Sequence, residues 1–307
     1  MRALVTGAVG FAGRYLVNHL LQHGDKVLGT WLHEEALEIT CEKAHLDIRN
    51  LPDCQRVISK FRPEVVYHLA GIAFPPDAER DFSEALAVNV EGTYNIFRAC
   101  HDLALPIKIV LVSSAEIYGN AKVLPISEST AISPHHNYSL SKAMAEMVAE
   151  RFNSSPTLSS VRIRAFNHIG PGQRIDFVIS NFAFQLASIA KGKSAPVMLV
   201  GNLDAKRDFT DVRDIVRGYR LAAQKGQGVY NLCSGKSISI RDVLDALIEV
   251  SGIKVEVRTD PSRIRPIDTL EVYGSYKKAE AELGWKPEYT DLKKSLKEVY
   301  EYWLKAE

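Results

Sequence analysis

The segment Ala3-Leu-Val-Thr-Gly7-Ala-Val-Gly10-Phe-Ala-Gly13-Arg constrains this chain more than any other. A short apolar run, Ala3–Thr6, meets glycines three residues apart and passes directly into the helical pattern 10–22. In such a strand–turn–helix each glycine has its own task. Gly7 makes the tight turn, Gly10 lets the backbone approach a ligand, and Gly13 lets the helix pack close to the strand. The free N–H groups and the positive end of the helix dipole then face an anion, and the spacing predicts the pyrophosphate of a dinucleotide. Phe11 and Ala12 lie within the turn and belong to the same expected site.

The remaining pattern predicts an α/β fold. Apolar runs at Lys26–Thr30, Glu64–Leu69 and Ile107–Ser113 alternate with helical stretches at Leu51–Phe61 and Phe82–Leu103. Nearly continuous apolar strands separated by helices imply a doubly wound parallel sheet of Rossmann type, covered on both faces. After about residue 165 the texture changes to loops rich in Gly, Pro and Asp, with helices at Arg241–Val250 and Leu292–Lys305. The expected division is a cofactor lobe over 1–165, with 212–235 returning to it, and a smaller α/β substrate lobe over 166–211 and 236–307. The length of 307 residues suits that plan.

Lys and Arg total 38 against 37 Asp and Glu, a net charge of +1 that argues against a nucleic-acid partner. No apolar run approaches the roughly 18–20 residues that span a bilayer, so no membrane partner is expected. Thr6, Gly7 and Gly10 interrupt the N-terminal apolar residues, and no signal peptide is expected. The four cysteines form no CxxC pair, which suits free thiols in the cytoplasm. His135 and His136 are adjacent, would point apart on a helix and have no completing carboxylate, so no metal site is expected.

An acid at the end of the second strand would bind the adenosine ribose and select NAD. Here that strand ends Gly29-Thr30-Trp31-Leu32-His33, without an acid before Glu34. Losing the acid removes repulsion against a 2′-phosphate, so NADP(H) is favoured with NAD(H) still open, and Arg14 and His33 are the nearby candidates. Asp47, followed by Ile48, is placed either against the adenine amino group or as a solvent-facing turn residue.

Tyr-x-x-x-Lys occurs four times, at Tyr118, Tyr138, Tyr273 and Tyr289, so the spacing alone proves nothing. Only Tyr138-Ser-Leu-Ser-Lys142 opens a long helical run after a breaker, Pro134, where i and i+4 share a face. An ammonium beside a phenol is expected to lower the phenol's pKa and make Tyr138 a proton donor near neutral pH. The strand before it delivers Ser113 and Ser114 to the carboxyl edge of the sheet, where ligands bind in such folds and a hydroxyl can polarise a carbonyl.

With the glycine turn, Ser114, Tyr138 and Lys142 together, the chain resembles the extended short-chain dehydrogenase/reductase family over nearly its whole length. His68-Leu69-Ala70-Gly71 and Asn89-Val-Glu-Gly92-Thr match that family's strand-four and helix-four segments. The resemblance implies that Leu69, Ala70, Gly71, Asn89 and Ser113 attend the cofactor. It selects Ser114 over Ser113 as the serine of an S-x-x-x-Y-G segment.

The second half resembles the nucleotide-sugar-modifying branch that holds GDP-mannose 4,6-dehydratases and GDP-4-keto-6-deoxy-mannose reductases. Ala165-Phe-Asn167-His168-Ile-Gly-Pro-Gly172 is similar to its phosphate-contacting segment, and Gly201–Asp211 to another of its loops. Arg265-Pro-Ile-Asp268 is similar to its late motif for pyrophosphate and ribose. The resemblance thus implies a GDP-linked sugar bound by Glu116, Asn167, His168, Asn202, Arg207, Arg265 and Asp268. The dehydratases' pattern has Asp or Ser where this chain has Ala115, which supplies no acid and weakens a reading as a dehydratase or another nucleotide-sugar epimerase. Glu116 is retained, as dehydratases need, and keeps that alternative open. A non-catalytic cofactor sensor is a third reading, opposed by the retention of Ser114, Tyr138 and Lys142. Met144, Met147 and Val148 sit where family members pair into a four-helix homodimer interface.

Overall fold

The structure is a computed structural model that describes residues 1–33, 39–264 and 269–306. Its centre is a parallel sheet of seven strands. In chain order, β1 is Arg2–Thr6, β2 Lys26–Trp31, β3 Glu42–His45, β4 Val65–His68, β5 Ile107–Ser114 and β6 Leu158–Ala165. The short strands β7 (Asn167–Ile169), β8 (Val197–Val200), β9 (Lys206–Arg207) and β10 (Phe209–Asp211) leave the sheet, and β11 (Gly228–Leu232) returns to it. The spatial order is β11-β6-β5-β4-β1-β2-β3, reversing direction between β1 and β4, and every pair is parallel. That reversal opens a crevice at the carboxyl ends of β1 and β4.

Side-chain alternation along the strands sorts the core into two layers. Val5, Tyr67 and Val110 point to one face, with α1 (Phe11–Gln22) packed there. Leu4, Val66 and Ile109 point to the other, under α2 (Leu51–Phe61). Each fully buried aliphatic side chain contributes about 1.5–3 kcal/mol. Asn50 begins α2 by accepting from the Asp53 N–H at 3.1 Å, and Arg62 ends it in the left-handed conformation.

The expected single helix over Phe82–Leu103 has internal structure. Following α3 (Pro75–Arg80), α4 (Phe82–Leu86) passes through a π-helical turn, Ala87–Glu91, into α5 (Gly92–Asp102). The extra residue of a π turn displaces one side chain from the helical register. Asn89 lies in that turn, buried at 2% exposure, and reaches back to the sheet edge. The helix α6 (Asn137–Arg151) crosses beside it.

The later helices are α7 (Val178–Ala190), α8 (Val212–Lys225), α9 (Ile240–Ser251), α10 (Lys277–Leu283) and α11 (Leu292–Lys305). α8 packs on the sheet with α1. α7, α9 and α11 enclose a separate apolar core with Met198 and Val200 of β8. Small pairings finish this part: β12 (Ile238–Ser239) and β14 (Glu271–Val272) flank β9, and β13 (Glu256–Thr259) pairs with β8. Among the described residues no helix is long and apolar enough to cross a membrane.

Candidate active site

The glycine turn forms at the end of β1 as its spacing predicts. Gly7 has φ +68°, and a Cβ there would lie 2.9 Å from the backbone of Ala70. A Cβ on Gly13 would fall 2.2 Å from the Gly7 carbonyl oxygen, so only glycine lets α1 seat this deeply. The Thr6 hydroxyl oxygen accepts from the N–H groups of Leu69 and Ala70, both at 3.1 Å, and lies 2.8 Å from His68 Nδ1. Leu69 and Ala70 are therefore fastened against the turn. Burial pushes the His68 imidazole down to about 3, which keeps it neutral.

Gly10 caps α1 with no side-chain hydrogen bond, and the first turn carries no acid. The donors and dipole of the helix end thus face the crevice, and the helix's own first turn adds no carboxylate. Among the described residues, Ser113 Oγ, buried at the end of β5, has no hydrogen-bond partner. These features fit a dinucleotide: a helix end suited to pyrophosphate and an unsatisfied hydroxyl farther along the sheet edge.

Other expected cofactor residues serve in ways the sequence did not show. Asn89 Oδ1 accepts from the Ile72 N–H at 2.8 Å and its Nδ2 donates to Ser141 Oγ at 2.9 Å. It braces the Gly71 loop against α6. Asp47 accepts from Arg49 Nη2 at 2.7 Å and from its Nε at 2.9 Å, which lowers its carboxyl pKa. Its side chain is thus neither purely solvent-facing nor unengaged. Ile48 is buried against Gly92. Arg14 Nη2 donates to the Gly172 carbonyl at 3.3 Å.

Ser114, Tyr138 and Lys142 come together at the carboxyl edge of β5. Ser114 Oγ accepts from the Glu116 N–H at 3.2 Å, and the serine lies near enough to the Tyr138 phenol to lower its pKa. Lys142 Nζ donates to the Val112 carbonyl at 2.8 Å and lies beside Gly71. The expectation that Lys142 depresses the phenol needs correcting. Burial dominates and pushes Tyr138 up to about 12, while Ser114 pulls it down. The lysine itself is the more perturbed group near neutrality: burial brings it down to about 8, and Glu146 opposes that shift.

Glu146 lies one helical turn beyond Lys142, in a buried pair with Arg164 of β6. Arg164 Nη2 donates to Glu146 Oε2 at 2.7 Å, and its Nη1 donates to Tyr118 OH at 3.0 Å. Sequence reasoning missed this pair, although the i,i+4 spacing of Lys142 and Glu146 carried the signal. It also considered His136 only as a metal ligand. In the structure His136 caps α6 and meets Glu116, with Nε2 3.1 Å from Oε2.

On the opposite wall, β7 pairs with β10 and presents Asn167, which is exposed, and His168. The His168 ring is stacked on Phe11, centroids 5.9 Å apart and planes at 7°, and its Nδ1 is 3.1 Å from the Phe166 carbonyl oxygen. Burial lowers its pKa. Asn202 forms a local turn by accepting from the Asp204 N–H at 3.0 Å. Arg207 Nη1 donates to the carbonyls of Lys206 and Thr269, at 2.8 and 2.7 Å, which ties β9 to the segment before β14. Arg265 and Asp268 lie outside the described residues.

With this geometry in place, comparison with known proteins is decisive. Residues 4–299 match the family described as GDP-mannose 4,6 dehydratase. The chain belongs to that family. GDP-6-deoxy-D-mannose reductase of Pseudomonas aeruginosa is 33% identical over 98% of this chain and 97% of that enzyme. GDP-6-deoxy-D-talose 4-dehydrogenase of Aggregatibacter actinomycetemcomitans is 29% identical over 98% and 97%. The solved structure of RMD from Pseudomonas aeruginosa complexed with NADPH superposes with a TM-score of 0.86, at 30% identity over 99% of both chains. The resemblance read from the motifs and the family match agree.

Proposed function

We propose that this chain reduces the C4 keto group of GDP-4-keto-6-deoxy-D-mannose to give GDP-D-rhamnose, with NADPH as reductant. The observation that carries the reading is the meeting of Ser114, Tyr138 and Lys142 beside the glycine turn, with Ala115 in place of an acid. A relative named for a GDP-6-deoxy-D-mannose activity, and a solved neighbour that holds NADPH, support the substrate and the cofactor.

When bound, NADPH supplies a hydride to C4. The protein's part is to manage the charge that develops on the C4 oxygen. Tyr138, protonated throughout the neutral range, donates its proton to that oxygen, and the Ser114 hydroxyl hydrogen-bonds it. Lys142, charged below about 8, holds the nicotinamide ribose and supports Tyr138 as it gives up its proton. The uncapped start of α1, with Gly7, Gly10, Phe11, Ala12 and Gly13, receives the pyrophosphate, and Asp47 and Ile48 lie toward the adenosine end. Asn167, His168 and Glu116 line the sugar side, and Arg207, Arg265 and Asp268 attend the nucleotide. A second reading, a 4,6-dehydratase, is favoured by one observation: Glu116 stands beside Tyr138 and raises its pKa.

Incubation with GDP-mannose and with the keto-sugar separates the two. The reductase oxidises NADPH only with the keto-sugar. Loss of GDP-mannose without added reduced cofactor would overturn the reductase in favour of the dehydratase. Tyr138→Phe is expected to lower kcat by about 10²–10⁴-fold.

A homodimer belongs to the same proposal. On α5 and α6, Tyr94, Leu140 and Met147 are exposed apolar side chains, with Met147 63% exposed. A second copy placed there would cover them, and light scattering at twice the chain mass checks it. The four cysteines are free, which suits a reducing cytoplasm.

A further inference from the structure

His136 has both ring nitrogens committed. Nδ1 lies 3.1 Å from the Ser139 N–H, and since a backbone amide can only donate, Nδ1 must be the bare nitrogen. The proton is therefore on Nε2, which donates to Glu116 Oε2 at 3.1 Å. The same ring lies nearly parallel to that of Tyr138, with planes at 13° and centroids 6.0 Å apart.

The segments joined in this way are those that carry the reacting groups. Glu116 lies on the short 3-10 turn Ala115–Tyr118, and its N–H donates to Ser114 Oγ. Ser139 is the residue after Tyr138, and its Oγ returns a hydrogen bond to the His136 carbonyl at 2.8 Å. His136 is thus a clamp between the Ser114–Glu116 turn and the first turn of α6. Among the described residues, other ionisable groups in the vicinity include His135, whose ring is 4.7 Å away, and Glu79 of α3, which accepts from the Asn137 N–H at 2.6 Å.

We infer that His136 is a positioning residue of the reductase site: through Glu116 it sets the separation of Ser114 and Tyr138. The inference rests on the proposed reduction for its kinetic effect, but the tautomer it requires does not. Ser114 and Tyr138 act on charge that develops only in the transition state, so a loosened clamp lowers kcat and leaves KM for both substrates nearly unchanged.

The test compares His136→Asn, Glu116→Ala and the double variant in NADPH oxidation with the keto-sugar, with Tyr138→Phe as control. Asn is a good N-cap but too short to reach Glu116, so it restores the cap and not the clamp. The expected result is a His136→Asn protein with near wild-type Tm, kcat lowered about tenfold and KM values within about twofold. The double variant is expected to be no slower than the slower single variant. A His136→Asn enzyme with wild-type kcat would show that His136 is only a cap and would overturn the inference. Strictly multiplicative effects in the double variant would do the same, as would a loss confined to KM. Should His136→Asn fail to fold, His136→Ser supplies another good N-cap that likewise cannot reach Glu116, and wild-type kcat there is equally fatal.

A second readout needs no substrate. In ¹⁵N-histidine NMR of the whole protein, the His136 signal is expected as the Nε2–H tautomer and to move in Glu116→Ala. An Nδ1–H tautomer refutes the clamp. If wild type and Tyr138→Phe are alike in failing to reduce the keto-sugar, the proposed function falls while the NMR result still judges the clamp.

Discussion

Lys142 and His68 are both buried bases, and the sign of each shift makes a separate prediction. Burial holds Lys142 at about 8, so it is charged below that pH and neutral above it. The free enzyme's kcat/KM is therefore expected to hold at lower pH and to fall as pH rises through about 8. Tyr138, at about 12, is too high to produce that limb. Lys142→Arg keeps its charge across the range and should remove the limb even if the rate drops. The same limb in the arginine variant would refute the assignment. His68 affects stability instead. Its folded-state value, about 3, lies below the roughly 6.5 of an unfolded histidine, so between the two the unfolded chain binds the extra proton. Stability from this residue is full above that window and lost as pH falls through it, on the order of 4 kcal/mol by pH 3. Urea titrations at several pH values should show a shallower acid slope for His68→Asn than for wild type. At this scale the sequence singled out Ser114, Tyr138 and Lys142 as candidates because such chemistry requires fixed residue types, and the fold brings all three to the end of β5. It could not show that Arg49 engages Asp47 or that Arg207 serves backbone carbonyls, since those partners are set by tertiary approach.

Elements were legible in the sequence in proportion to the apolar pattern they carry. β1, α1, α2 and β5 announce themselves by runs of buried residues bounded by glycine, asparagine or proline. β3 does not, because it is an edge strand whose Glu42, Lys43 and His45 are exposed. β6 lies inside the sheet yet holds two arginines, and it is acceptable there only because Arg164 pairs with Glu146 and Arg162 with Glu150. β9, β12 and β14 have two residues each, too few for any periodicity. The element that leaves least freedom is the β1–α1 turn. Gly13→Ala would place a methyl 2.2 Å from the Gly7 oxygen and force α1 away from β1. The expected cost is about 1–3 kcal/mol of stability, together with at least a tenfold rise in KM for NADPH. Thermal melts and cofactor titration check the two effects separately. An unchanged KM would show that the helix start does not hold the pyrophosphate.

Across the whole molecule, the glycine turn and the 168–172 loop, the proposed cofactor and sugar walls, are joined through α1. Tyr15 OH donates to the Pro171 carbonyl at 2.9 Å, Arg14 to Gly172, and Phe11 stacks on His168, so one helix braces the 168–172 loop. Phe74 packs edge-on against Phe177, and Arg174 pairs with Asp77 at 3.2 Å, which closes the far side. A ligand that settles the start of α1 therefore settles the loop that carries Asn167 and His168. Binding is expected to be synergistic, with NADPH and the nucleotide sugar each raising the other's affinity by one common factor, as linkage requires. Tyr15→Phe removes one brace and leaves Arg14 and Phe11 in place. It should reduce the coupling factor by about three- to tenfold, in keeping with the loss of one partly buried hydrogen bond. Calorimetric titration of GDP-mannose with and without NADPH, and of NADPH with and without GDP-mannose, measures the factor in both directions. If Tyr15→Phe weakens each ligand alone but leaves the factor intact, the brace is structural and the two walls are coupled elsewhere.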